Sequence, residues 1–318
     1  MKIHTFIFHI LQKMQNDLEG EATVSIHDVT KNNGVVLTGL TFSKKDVNIS
    51  PTIYLEDFYK EYQEGKSMEG ILEEIKEIYY GSRMENSINM DFFTDYEKAK
   101  KNIVYKLINY EKNKELLKEI PHKKFLDLAI VFYYLVDMKE FANATILIHN
   151  KHLECWGKDA DTIYHEAVKN TPGLLKVSFC GMMEVLQELT QEDILYAREM
   201  YELQEKENED ERKYVLEIHV RRDETGMYVL TNSTRMYGAA TILYKDVLEK
   251  CSKALAANLF ILPSSVHEVI LLPDEGQVTK EKLKEMVREV NETQIEPQEI
   301  LSDSVYYFSL ETGSVIRL

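Results

Sequence analysis

ATVSIHDVTKNNGVVLTGLTF, residues 22–42, decides the fold class of this chain. Val24, Ile26 and Val29 lead into Lys31-Asn32-Asn33-Gly34, and Val35, Val36, Leu37, Leu40 and Phe42 leave it. Asn and Gly tolerate positive φ at low cost, so the two apolar runs fold back on each other as a β-hairpin. Working outward, Pro51–Leu55 is a further extended segment. EDFYKEYQEG (56–65) is a helix closed by Gly65, and SMEGILEEIKEIYY (67–80) is a helix opening at Ser67. Upstream of the hairpin, Ile3, Phe6, Ile10 and Met14 fall at helical spacing, with Phe8 and Leu11 widening the stripe, which predicts an amphipathic helix docked on the body. Hairpins and helices in sequence-local blocks make the chain α+β, with mostly antiparallel sheets.

Three blocks follow from this pattern: residues 1–85, 91–200 and 212–318. Between the last two, YELQEKENEDERK (201–213) is nearly devoid of apolar residues and reads as an acidic linker or insertion. The middle block shows a strand at 103–108, a short helix ending before Pro121, and strands at 126–136 and 144–148. Helices around 151–155 and 161–170 follow, punctuated by Pro172-Gly173. In the last block YVLEIHV (214–220), MYVLTN (227–232), ATILY (240–244), LFILP (259–263) and VHEVILLP (266–273) are strand-like. Residues 280–291 are helical, and SVYYFSL (304–310) is a last strand. Ala144–Ile148 recurs as Ala240–Tyr244, and Thr52–Leu55 takes the same slot near the N-terminus. One reading is a weak threefold strand–turn–strand–helix repeat. The other is that such strings are simply what buried strands look like.

The 318 residues include 54 Asp and Glu against 38 Lys and Arg, a formal charge of −16. A surface that negative repels nucleic-acid backbones and anionic lipids. The densest basic clusters, Lys98-Ala99-Lys100-Lys101 and Arg221-Arg222, lack interleaved stacking aromatics, so no nucleic-acid partner is expected. No apolar run reaches about 18 residues, so no membrane span is expected. The first residues lack a small-residue cleavage site and are not read as a signal peptide. Cys155, Cys180 and Cys251 show no regular spacing, which fits a reducing compartment better than a disulfide framework. The expected location is the cytoplasm.

Motifs for familiar cofactors are missing. The chain has no G-x-x-x-x-G-K-[ST], G-x-G-x-x-G, C-x-x-C or G-x-S-x-G, so no cofactor is implied. His165-Glu166 and His267-Glu268 lack the second histidine of a zincin, since Lys169 and Leu271 stand there. His149, His152 and Cys155, three apart on one helix, are a candidate set of soft metal donors. Trp156 beside them suggests instead a face that is simply docked. The most pointed stretch is LFILPSSVHEVILLP (259–273). There Ser264 or Ser265 is a candidate nucleophile and His267 its base, with Glu268 as orienter or an acid from elsewhere such as Asp303. On an extended strand, however, His267 and Glu268 point to opposite faces. The rival reading is a turn in which Pro263 fixes φ and the hydroxyls bond nearby amides. An enzyme would need His267 within hydrogen-bond reach of a serine hydroxyl. Tyr59, Tyr62, Tyr79 and Tyr80 offer either a contact surface or core packing.

In their order, these strings resemble a bacterial family, common in Firmicutes, known as domain-of-unknown-function family 5688. The strings that carry the resemblance are KNNGVVLTGLTF with NISPTIYLEDFYKEYQEG, PHKKFLDLAIVFYYL, ATILIHNKHLECWG with EAVKNTPGLL, MYVLTN with YGAATILY, LPSSVHEVILLP and LSDSVYYF. They run from about residue 24 to residue 308. The block from Thr145 to Leu175 is also similar to a second uncharacterised family, number 1444. Neither resemblance implies an activity, a catalytic residue or a cofactor. The expectation is a cytosolic, non-enzymatic protein that binds another protein. The alternatives are a hydrolase or transferase at Ser264, Ser265 and His267, and a metal-binding protein through His149, His152 and Cys155.

Overall fold

Asn33 and Gly34 take positive φ, 61° and 70°, and so turn the chain between the two apolar runs of the hairpin. The computed structural model describes residues 1–82, 87, 90–136, 144–190, 223–263 and 265–318. The acidic segment 201–213, the YVLEIHV stretch and Ser264 lie outside these. Ten α-helices and thirteen strands are found among the described residues, in mostly antiparallel sheets. The α+β class is as the sequence predicts. The chain divides into two compact units, Met1–Phe92 and Phe93–Leu318.

In the first unit α1 (Ile3–Asp17) precedes β1 (Thr23–Thr30), β2 (Val36–Ser43) and β3 (Thr52–Tyr54), which pair in that order. The hairpin runs in register from Thr23↔Ser43 to Thr30↔Val36. Helices α2 (Glu56–Gln63) and α3 (Met68–Ser82) complete the unit. Gly65 ends the first at φ 108°, and the Ser67 hydroxyl opens the second by accepting the Gly70 N–H at 3.1 Å. Phe6, Ile10 and Met14 of α1 are fully buried against Leu40, Phe42, Ile71 and Ile75. Phe8 is 56% exposed, so the docked stripe is narrower than the spacing suggests. The tyrosines are mostly packing residues. Tyr79 stacks on Phe42 with ring centroids 4.6 Å apart, Tyr59 and Tyr62 flank Phe6, and Tyr80 alone of the four is exposed. The short α4 (Asp91–Thr94) falls at the division between the units.

The second unit begins with α5 (Tyr96–Ala99), β4 (Ile103–Asn109), β5 (His122–Phe125), β6 (Leu128–Leu135) and β7 (Thr145–Leu147). Strand β6 is central, pairing with β4 on one side and with β5 and β7 on the other. It is buried nearly end to end, which is why it reads as an unbroken apolar run. Helices α6 (Asn150–Trp156) and α7 (Ala160–Leu174) follow. Pro172-Gly173 does not end α7, as the sequence suggested; the helix continues to Leu174. Its last turns are clamped to the outer edge of β4. Asn170 Nδ2 donates to Ile103 O at 3.0 Å, and the Thr171 hydroxyl accepts the Tyr105 N–H at 3.2 Å. These bonds satisfy an otherwise open strand edge.

The larger sheet contains β8 (Val177–Gly181), β9 (Tyr228–Asn232), β10 (Leu259–Leu262), β11 (Val269–Pro273), β12 (Tyr306–Ser309) and β13 (Ser314–Arg317). Its order is β13-β12-β10-β11-β9-β8, antiparallel throughout. Strand β8, from the middle block of the sequence, is thus the edge strand of the C-terminal sheet, and the two blocks share one unit. Helix α8 (Met182–Thr190) follows β8; α9 (Val247–Leu255) and α10 (Lys280–Thr293) belong to the last block. The Thr279 hydroxyl caps α10 by accepting the Lys282 N–H. Thr279→Ala is expected to cost about 1 kcal/mol, read as a lower urea midpoint at unchanged slope.

Ala240–Tyr244 is a correction. Its counterpart Thr145–Leu147 is a strand, but Gly238–Leu243 is a 3-10 helix. The chain enters it through Tyr237 at φ 56°, and the Thr241 hydroxyl donates back to Gly238 O at 2.7 Å. Tertiary packing on β9 overrides the local β preference here.

One carboxylate ties the four-stranded sheet to the segment that leads into β12. Asp127 sits in the β5–β6 turn beside Leu126 at φ 55°. It accepts from the hydroxyls of Ser302 (2.7 Å), Ser304 (2.9 Å) and Tyr306 (2.9 Å), with Arg317 Nε at 3.7 Å. Burial pushes its pKa up, but the three hydroxyls and Arg317 together bring it below the ordinary 3.8.

Candidate functional site

The PSSVHE segment folds as a turn between β10 and β11. Ser265 is buried. Its hydroxyl donates to Glu268 Oε1 at 3.0 Å and accepts the His267 backbone N–H at 3.0 Å. The His267 ring looks elsewhere. Its Nδ1 accepts the Tyr237 N–H at 3.3 Å, its Nε2 lies 3.5 Å from Glu299 Oε1, and the imidazole stacks on the Tyr237 ring at 11°. Lys106 Nζ rests 3.8 Å from the centre of that same ring. Hydroxyl and imidazole are each engaged with other groups, so the described part of this turn assembles no nucleophile–base pair. Asp303 is bonded to Asn291 Nδ2 at 2.8 Å and takes no part in the turn's hydrogen bonds. Ser264 lies outside the described residues.

His149, His152 and Cys155 are used differently from the metal reading. His149 is the N-cap of α6, and its carbonyl accepts the His152 N–H at 2.9 Å, while His152 Nδ1 accepts the His149 N–H at 3.0 Å. This reciprocal cap requires an unprotonated acceptor nitrogen on His152. Burial, with His149 nearby, lowers the His152 pKa and favours that state. Cys155 is exposed, whereas Trp156 is buried and donates to Phe93 O at 3.1 Å. Among the described residues no three His, Cys, Asp or Glu side chains converge where a metal ion would sit. The spacing placed the donors on one helix; capping and docking then consumed their geometry.

A cleft of about 630 Å³ lies at one end of the six-stranded sheet. Phe260 of β10 stands opposite Leu272 of β11 in the register, so both side chains share one face. Leu283 and Val287 of α10 cover the rest of that face. The uncovered end, together with Leu255 from α9 and Val278 from the loop into α10, forms an apolar floor. Carboxylates rim it. Asp274 follows β11 and accepts the Gly276 N–H at 3.1 Å and the Tyr307 hydroxyl at 2.8 Å. Asp223 accepts the Met183 N–H at the start of α8 (2.8 Å) and the Thr225 N–H (2.8 Å). Burial raises the Asp223 pKa, but Thr225 and Met183 outweigh it and hold the group ionised. A Cβ at Gly181 would fall on this carboxylate, so glycine is what admits it. Glu224 and Glu275 complete the rim. Among the described residues Asp223, Glu224 and Asp274 meet no lysine or arginine. Among the described residues no histidine, cysteine or lysine lines the cleft.

A family model described as a family of unknown function, DUF5688, matches residues 3–310. The chain belongs to that family. The resemblance read from the ordered strings is therefore shown, and the match includes the whole acidic cleft and the PSSVHE turn. No curated protein and no solved structure matches the chain. No helix is long and apolar enough among the described residues to cross a membrane.

The cleft escapes sequence reasoning because segments far apart in the chain, 223–228, 254–260 and 272–278, build it. The available signal was Asp274-Glu275-Gly276 directly after an apolar strand, paired with Asp223-Glu224 before another. In a chain this acidic, such pairs do not stand out.

Proposed function

We propose that this chain is a cytoplasmic binding protein without a catalytic centre of its own, and that its acidic cleft receives a segment of another protein. The segment it suits carries basic residues beside a large apolar side chain. One observation carries the reading: an apolar floor of Phe260, Leu272, Leu255 and Val278 lies under a carboxylate rim of which Asp223, Glu224 and Asp274 meet no lysine or arginine among the described residues. Buried apolar area would supply affinity, and the charged rim orientation and encounter rate. All three cysteines are unpaired, in keeping with a reducing compartment.

The test is fluorescence anisotropy with a labelled short peptide alternating lysine and leucine. Glu224→Lys with Glu275→Lys, both on the exposed rim, is expected to weaken binding about tenfold or more. Raising salt from about 0.05 M to about 0.5 M is expected to weaken the wild type and to matter far less for the double variant. Equal affinity in both proteins would overturn the reading.

A further inference from the structure

A second cleft, of about 460 Å³, opens where the end of α10 meets the turn after β4 and the segment before β12. Its charged groups come in both signs: Lys112 and Arg288 against Glu292 and Asp303. Among the described residues Arg288 and Glu292 form no ion pair, and Lys112 and Asp303 meet only in a loose one, Nζ to Oδ2 4.0 Å, beyond hydrogen-bond reach. Asn291, only 3% exposed, lines the same cleft. Its Nδ2 donates to Ser302 O (3.0 Å) and Asp303 Oδ1 (2.8 Å), which fixes the orientation of the amide. Its Oδ1 is left buried with no donor. A buried acceptor in that state is costly unless something supplies a donor.

We infer that this cleft binds a small zwitterion of the α-amino-acid class. The carboxylate is taken by Lys112 and Arg288, the ammonium by Glu292, Asp303 and the Asn291 Oδ1, and an aliphatic side chain lies against Ile295. A simple anion would face two carboxylates, and a simple cation two basic side chains; a zwitterion satisfies both pairs at once. This site is separate from the acidic cleft, and the inference does not rest on the peptide reading.

The test is calorimetric titration of the full chain with L-leucine, beside N-acetyl-L-leucine, which lacks the ammonium, and L-leucinamide, which lacks the carboxylate. Leucine is expected to bind saturably, and each analogue about tenfold or more weaker, because each leaves charged groups unanswered. Arg288→Gln alters an exposed side chain without an ion pair, so it is expected to keep the wild-type melting temperature while binding leucine about tenfold more weakly. The inference is overturned if leucine shows no saturable heat up to about 10 mM, a ceiling below which a specific site of this kind would fill. Equal binding of the three compounds, or unchanged leucine binding by a folded Arg288→Gln protein, overturns it as well.

Discussion

Asp127→Ala is expected to lower the melting temperature of the second unit by about 10 °C, corresponding to roughly 3 kcal/mol. The side chain of Asp127 is 12% exposed and serves as acceptor for three hydroxyls at once. Removing it leaves Ser302, Ser304 and Tyr306 facing a void, and leaves Arg317 without its carboxylate. It also loosens the attachment of the four-stranded sheet to the segment that leads into β12. Asp127→Asn keeps the volume and one acceptor oxygen, so about half of that loss is expected. The pH dependence has a definite sign. The pKa of Asp127 is lower in the folded state than its ordinary 3.8, so its stabilisation is fully present above that value. It disappears as the pH falls through the lowered value. Differential scanning calorimetry of wild type and Asp127→Asn should therefore show a gap at pH 7 that narrows below about pH 4. A constant gap down to the acid limit would mean the carboxylate charge contributes nothing.

Gly238→Ala should be comparably damaging, by about 3 kcal/mol, for a steric reason. A Cβ at this position would fall on the Thr231 hydroxyl and lie 2.5 Å from His267 O and 2.7 Å from Asn232 N. The first is a side-chain atom that can rotate away; the other two are backbone and cannot. The neighbouring turn has little room to yield. Asn232 accepts the Thr234 N–H at 3.1 Å and donates to Met236 O at 2.9 Å, while Arg235 and Tyr237 already sit at φ 53° and 56°. The Thr231 hydroxyl also donates to His267 O at 2.7 Å, tying β9 to the PSSVHE turn. Adding Thr231→Ala to Gly238→Ala should therefore fail to restore the urea midpoint. Full rescue by that second change would show that only the hydroxyl was in the way.

Local chemistry made much of the fold legible in the sequence. The Asn33-Gly34 turn, the Ser67 start of α3 and the apolar run of β6 each depend on contacts within a few residues or on simple burial. What escaped the sequence depends on distant partners. Nothing near Ala240 announces that Gly238 packs on β9, so a string that forms β7 in one place forms a 3-10 helix in another. Pro172 reads as a helix end, but Asn170 and Thr171 clamp that turn to β4, more than sixty residues earlier in the chain. Strand β8 carries no mark that it belongs to the C-terminal sheet. The candidate sites divide in the same way. Ser265, His267, His149 and His152 were visible as residue types, yet their hydrogen bonds turned out to be those of a turn and a helix cap. Asp223 and Asp274 were invisible as a pair because they meet only after β9, β10 and β11 align.

Hydrogen–deuterium exchange of the full chain, with and without the lysine–leucine peptide, tests whether the acidic cleft is where the peptide binds. Slower exchange on binding is predicted at 223–228, 254–260 and 272–278, the segments that build the acidic cleft, with Val266–Glu268 and Tyr237 unchanged. Protection confined to Val266–Glu268 and Tyr237, or exchange that is the same everywhere while the peptide is bound, would contradict a peptide site in the acidic cleft.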